Sequence, residues 1–193
     1  LNDTIKHLKE WMQPKYVSTN LVNIPSASYT IQEPLGVVCI IAPWNYPFQL
    51  LFTPLIGAIA GGNCAVLKPS EFAPATAKVM GKIIDSLFPN NYILYLEGEG
   101  ATILPPLFTE NRFDHIFYTG STAVGKIIYK YAAEKLVPVT LELGGKSPAV
   151  ICSDANLRVA ARRLANPKFS NCGQMCIAPD YILVPTHLKD KLI

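Results

Sequence analysis

The chain has 193 residues, half of them hydrophobic and 16% charged, with a net charge of +3. That is enough apolar side chain for one domain or one and a half, and too little charge for a disordered chain. The Lys and Arg residues are scattered and their excess is small, which excludes the electrostatic footprint of a nucleic-acid partner.

From Asn2 to Gln13 the sequence is polar with helical spacing, most clearly over Ile5 to Met12, and no secretory leader is visible. Pro14 to Gln32 reads as an extended, Pro-containing region with alternation around Ala27 to Ile31. Pro34 to Leu67 carries no charge and is long enough to span a membrane. Against that, Pro43, Pro47 and Pro54, the amides of Asn45, Gln49 and Asn63, and the Gly61-Gly62 break would all have to be buried in lipid. A strand over Gly36 to Ala42, a helix opened by Pro47 and reaching about Ala60, and a second strand over Asn63 to Leu67 explain the run better. A helix from about Ala73 to Leu87, a third strand over Tyr92 to Leu96, and a helical or irregular segment over Gly100 to Phe108 come next. His115 to Tyr118 is a fourth strand, Ser121 to about Lys135 a helix, and Val137 to Leu141 a fifth strand. Nearly all-apolar strands alternating with helices predict an α/β fold, a doubly wound parallel (Rossmann-like) sheet covered on both faces. Ligands of such sheets sit at the carboxyl ends of the strands.

The distinctive residues fall at those ends. Gly120 to Lys126 follows the fourth strand and opens a helix, nearly matching a phosphate-binding P-loop, but Ile127 replaces the hydroxyl that would hold magnesium. Thr122 also breaks the Gly-x-Gly-x-x-Gly fingerprint. The helix start and Ser121 can hold a pyrophosphate or form an ordinary cap. Lys68 and Glu71 close the second strand, either gripping a ribose diol or lying in a solvated turn. Asn45, in the turn Pro43-Trp44-Asn45-Tyr46-Pro47, aims its amide at a ligand or at its own backbone.

Further on, Glu142 sits in the run Leu141-Glu142-Leu143-Gly144-Gly145-Lys146. Partial burial there would raise its pKa toward neutrality, where a general base works best. Cys176 ends the Gly173-Gln174-Met175-Cys176 turn and is a candidate nucleophile, because the thiolate is the reactive form of cysteine. The bland alternative is a buried structural thiol. Cys172 lies four residues earlier without a second Cys or His pair, so no metal site is expected. The five Cys are an odd number, and Cys39, Cys64 and Cys152 lie in apolar surroundings, as for reduced, buried thiols of a cytoplasmic protein.

Taken together, Pro43 to Phe48, Lys68-Pro69-Ser70-Glu71, Phe117 to Thr122, Leu141 to Lys146 and Gly173 to Cys176 resemble the motifs of the aldehyde dehydrogenase superfamily. Ser28-Tyr29, Glu33-Pro34-Leu35-Gly36, Arg112 to Gly120 and Ala178-Pro179-Asp180-Tyr181 are similar to its shorter fatty and aromatic aldehyde subgroup. Cys172 and Met175 depart from the residues usual at those positions. The resemblance implies oxidation of an aldehyde to a carboxylic acid, with Cys176 as nucleophile, Glu142 as the base for water and Asn45 as an oxyanion donor. It assigns cofactor contacts to Lys68, Glu71, Gly120, Ser121, Gly125 and Trp44. Glu71 would repel a 2′-phosphate, so NAD is expected, with NADP as the alternative.

Family members run to more than twice this length. Leu1 at the start and a helix-like Lys189 to Ile193 at the end accordingly predict a piece of a longer chain. Residues 1–35 would be an N-terminal helix and extended arm, 36–142 the NAD(P)-binding domain, and 143–193 the start of a truncated catalytic domain. The full-length protein would be a homodimer, a membrane anchor beyond residue 193 stays open, and residues 1–193 alone would be inactive. A CoA-acylating or phosphorylating relative, a P-loop phosphotransferase and a binding or structural module are the competing readings. Ile127 opposes the phosphotransferase and Glu142 favours water over other acceptors.

Overall fold

A computed structural model describes residues 1–193. The chain opens with helix α1 (Asn2–Trp11) and an antiparallel pair, β1 (Lys15–Val17) with β2 (Ser28–Thr30). The α/β unit follows as β3 (Val37–Ile41), α2 (Pro47–Ala60), β4 (Cys64–Lys68), α3 (Pro74–Leu87), β5 (Ile93–Tyr95), α4 (Gly100–Glu110), β6 (His115–Gly120), α5 (Thr122–Glu134) and β7 (Val139–Leu143). Beyond it lie β8 (Ala149–Val150), α6 (Leu157–Phe169), β9 (Ile182–Leu183) and α7 (Lys189–Leu192), with β8 and β9 paired in parallel.

Local chemistry sets most of these starts. Pro47 and Pro74 occupy first-turn positions of α2 and α3, where a missing N–H costs nothing. Ser121 and Asn156 cap α5 and α6 by accepting from the Val124 and Val159 amides. The segment read as helical or irregular is helix α4, and the uncharged run from Pro34 to Leu67 is β3, α2 and β4 with their connections. No helix is long and apolar enough to cross a membrane.

The central sheet has the order β5-β4-β3-β6-β7, parallel throughout. From β3 the chain winds first toward β4 and β5, then returns to lay β6 and β7 on the other side. This is the predicted doubly wound topology. Alternate residues of β3 feed two cores. Val38 and Ile40 pack with Leu51 and Leu55 of α2 and Met80 and Ile84 of α3, while Cys39 and Ile41 pack with Leu104 and Phe108 of α4 and Ile128 and Ala132 of α5. Burial pushes the Cys39 thiol up to about 12, so it stays protonated and inert.

Two expectations change. The β6–β7 ladder runs on through the pairs Thr119↔Glu142 and Gly120↔Leu143, so Glu142 lies inside an edge strand rather than beyond it. Leu141 and Leu143 pack toward the core, which turns Glu142 to the other face, where it is exposed instead of partly buried. Cys152, expected inside, is also exposed, because the chain leaves the β8–β9 pair immediately after the buried Ile151.

The entry to β3 is held by side chains from two distant loops. Asn63 Oδ1 accepts from the Leu35 and Gly36 amides at 2.7 and 3.0 Å, while its Nδ2 donates to the Ala58 carbonyl at 3.1 Å. Asp114 Oδ2 accepts from the Val37 amide at 2.9 Å. Gly36 has φ 126°, and a Cβ on it would overlap the Asp114 carboxylate, so glycine is required on both counts. Replacing Asn63, which is 7% exposed, by Ala orphans two strand-entry amides. The N63A protein should lose about 2–3 kcal/mol of stability in urea unfolding, and an unchanged midpoint would mean that water replaces the side chain at no cost.

Candidate active site

At the carboxyl ends of β3, β4 and β6 lies a cleft of about 600 Å³, within the size range of small-molecule sites. Its lining includes Trp44, Lys68, Glu71, Gly120, Ser121 and Val124. Lys68 ends β4 and is 2% exposed. Its ammonium donates to the Pro69 carbonyl at 2.7 Å and to Glu71 Oε2 at 2.9 Å, leaving one of its three protons over. Glu71 Oε1 in turn accepts from the Gly100 amide at the start of α4, at 3.0 Å. Burial alone would raise the Glu71 pKa, but the Gly100 amide, its own backbone amide and Lys68 together outweigh burial and hold the carboxyl below its ordinary value. The Lys68–Glu71 pair is therefore assembled in advance, with both carboxylate oxygens engaged.

On the opposite wall, α5 points its N-terminus into the cleft. The Ser121 hydroxyl accepts from the Val124 amide at 3.3 Å, so the ordinary cap is made. Its proton and the other first-turn amides stay available to an anion. Gly120 leaves room for the Tyr118 hydroxyl, which a Cβ there would overlap and which donates to the Ser121 carbonyl at 3.2 Å. Gly125 lies on the sheet side of α5, where an added Cβ would come 3.0 Å from Leu143 Cδ2. Its place is in helix–strand packing, away from the cleft lining. The donor set fits a dinucleotide: an anion site at a helix N-terminus, a Lys–Glu pair with a buried ammonium and an exposed carboxylate for a diol, and apolar walls between.

Beside the cleft, three segments remote in sequence converge. Asn45, one residue past Trp44, donates from Nδ2 to the Gln174 carbonyl at 2.9 Å, and Asn171 Nδ2 donates to the Asn45 carbonyl at 3.0 Å. These reciprocal bonds tie the turn after β3 to the loop that leads into Cys176. From the β7 side, Gly145 packs so closely that a Cβ on it would come 3.3 Å from the Cys176 carbonyl. The Lys146 ammonium pairs with Asp180 at 3.2 Å, and the Asp180 amide donates to the Ser147 carbonyl at 3.4 Å. Both Cys176 and Glu142 are exposed.

Sequence reasoning missed Asn171, Gly145 and Gly100 as partners of the site. Asn171-Cys172-Gly173 carries a turn-forming composition, and all three residues have positive φ (48°, 56° and 78°), but nothing local signals a bond to residue 45. Asn45 takes neither of the roles offered for it outright, since its amide grips another loop and keeps a second proton free.

A sequence model described as the aldehyde dehydrogenase family matches residues 2–193. The chain is 52% identical over 191 residues to a 4,4′-diaponeurosporen-aldehyde dehydrogenase of Staphylococcus aureus, covering 97% of this chain and 40% of that protein. It is 45% identical over 193 residues to a dimeric NADP-preferring aldehyde dehydrogenase of Rattus norvegicus, covering all of this chain and 42% of that one. A substrate-bound structure of Staphylococcus aureus AldH superposes with a TM-score of 0.92 at 50% identity, covering 99% of this chain and 41% of that one. The chain thus spans about 40% of the length of the relatives it matches.

The Glu71 contacts set a pH dependence. A carboxyl whose folded pKa is depressed contributes stability above its ordinary value of 4.5 and loses it as pH falls through the folded value. The wild-type protein should therefore lose stability more steeply than Glu71→Gln as pH falls below about 5. Parallel acid-unfolding profiles for the two proteins would show that Glu71 is not held as described.

Proposed function

The chain belongs to the aldehyde dehydrogenase family, and on that premise we propose that it carries the cofactor cleft and reacting groups of an enzyme oxidising an aldehyde to a carboxylic acid. The observation supporting this most strongly is the joining of the Asn45 turn, the Gly145 loop and the Cys176 loop beside the cleft. These are the three segments a nucleophile, an oxyanion donor and a base have to come from.

In the proposed reaction the Cys176 thiolate attacks the aldehyde carbon and forms a tetrahedral thiohemiacetal. The second proton of the Asn45 amide and the Cys176 N–H receive the oxyanion, each donor being worth about 3–4 kcal/mol in a dry site. The bond from Asn45 to the Gln174 carbonyl fixes that amide relative to the Cys176 loop, so little reorganisation remains for the reaction. Ser121 and the first-turn amides of α5 would hold the pyrophosphate of a nicotinamide dinucleotide, and Lys68 with Glu71 one of its riboses, beside Trp44. The chemistry supplied by that bound group is hydride acceptance, the oxidising half of the reaction. Glu142 deprotonates water for hydrolysis of the Cys176 thioester, and its exposure on β7 suits a base whose partner is solvent.

NAD is the proposed acceptor, with NADP as the alternative. Lys68 and the Gly100 amide offset the Glu71 charge that would repel a 2′-phosphate, and the rat relative is named as NADP-preferring. For the whole protein we propose a homodimer; the rat relative is named as dimeric.

Cys176→Ala in the intact protein should lower aldehyde oxidation by at least about 10⁴-fold, while Cys172→Ala stays within about threefold of wild type. Steady-state NADH production from benzaldehyde or hexanal, without CoA or phosphate, reads both. Loss of activity in Cys172→Ala with retention in Cys176→Ala would reverse the assignment.

A further inference from the structure

Cys172 has no task in that reaction, and its setting is unusual. It is exposed, makes no disulfide and sits at φ 56°, ψ 28°, a left-handed conformation that non-glycine residues rarely adopt. Its neighbours Asn171 and Gly173 are left-handed too. The turn is held in that form from both sides: Asn171 is bonded to the Asn45 carbonyl, and Gln174 both accepts from Asn45 Nδ2 and donates from its own amide to the Asn171 carbonyl at 3.0 Å. A second turn follows at once, closed by the Ala178 amide on the Met175 carbonyl at 3.3 Å. Cys172 and Cys176 are thus the second residues of two successive four-residue turns, and both residues are exposed. Two reversals within eight residues contract the chain well below its extended span. Closing a disulfide needs Cα atoms about 4.4–6.8 Å apart, an approach that two successive reversals between residues four apart favour over an extended loop.

We propose that Cys172 is a resolving thiol for Cys176, making this loop a reversible oxidation site for hydroperoxides. The inference rests on the reading of Cys176 as the nucleophile, since a reactive thiolate is also the group a peroxide oxidises first. The Cys176 sulfur attacks the peroxide: an S–O bond forms, the O–O bond breaks, and the products are a sulfenic acid and an alcohol, or water from hydrogen peroxide. The Cys172 sulfur then attacks the sulfenic sulfur. An S–S bond forms, the S–O bond breaks, and the departing hydroxide takes the Cys172 proton as water. The two electrons given up by the thiols are the two the peroxide gains. A small dithiol reverses the step by exchange. The device shields the nucleophile from the irreversible sulfinic acid and halts aldehyde oxidation while oxidant persists. Cys39 is enclosed in the core and Cys152 lies on a separate strand exit, so neither shares this loop.

The test treats the intact protein with hydrogen peroxide, blocks remaining thiols and digests with trypsin. Lys168 and Lys189 bound one peptide that contains both cysteines. In wild type that peptide should lose about 2 Da, and activity should fall and return with dithiothreitol. In Cys172→Ser and Cys172→Ala, active before treatment, it should instead gain about 32 Da, the sulfinic acid, and dithiothreitol should recover at least about tenfold less activity than in wild type. A wild-type peptide that gains mass without passing through the disulfide, or equal recovery in the variants, overturns the proposal. Full aldehyde oxidation by Cys176→Ala would instead overturn the nucleophile reading, and it is scored separately from the peptide mass.

Discussion

The architecture depends on the double burial of β3. It pairs in parallel with β4 on one side and β6 on the other, and alternate residues fill the cores on its two faces. The strand is exposed at Val37 and buried from Val38 onward, and at that boundary Asn63 and Asp114 take up the Leu35, Gly36 and Val37 amides. At its other end, the reversal of winding direction leaves β3 and β6 without a connecting loop between them. The cleft occupies that gap. Asn45 and the α5 N-terminus stand at its rim because β3 and β6 deliver them there.

The cleft and the reacting loops are built differently. The cleft is cross-bonded and charged from within: a buried ammonium, a carboxylate held by a helix amide and a capped helix start. The Cys176 loop is exposed and fastened at a few points, chiefly the Asn45 and Asn171 bonds and the Lys146–Asp180 pair. An exposed salt bridge of this kind contributes little, so the two amide bonds carry most of the fastening. A positioning amide and a proposed oxyanion donor are thus one side chain, which couples loop order to chemistry.

Most of the fold could be read from residues close together in sequence. Pro47, Pro74 and Ser121 mark their helices, and the β-branched run of β3 marks the central strand, because propensity and capping act over a few residues. Glu142 defeated that reading. Its apolar neighbours suggest burial, but Leu141 and Leu143 face the core and leave the residue between them on the open side of an edge strand. Gly125 likewise belongs to a motif by spacing and to a packing contact by position. The links from residue 45 to residues 171 and 174, and from Glu71 to Gly100, cross long stretches of chain and leave no local mark. Tertiary geometry alone decides them.

In the proposed reaction Cys176 takes the acyl group and Glu142 acts on water afterwards. Trapping the acyl enzyme in Glu142→Gln tests that order. The intact variant is mixed rapidly with aldehyde and dinucleotide, quenched in acid and digested, and the Phe169 to Lys189 peptide is weighed and sequenced. The expected result is a burst of NADH and close to one acyl group per site, all of it on Cys176. Acyl mass on Cys172, or no acyl mass while the dinucleotide still binds, would contradict it.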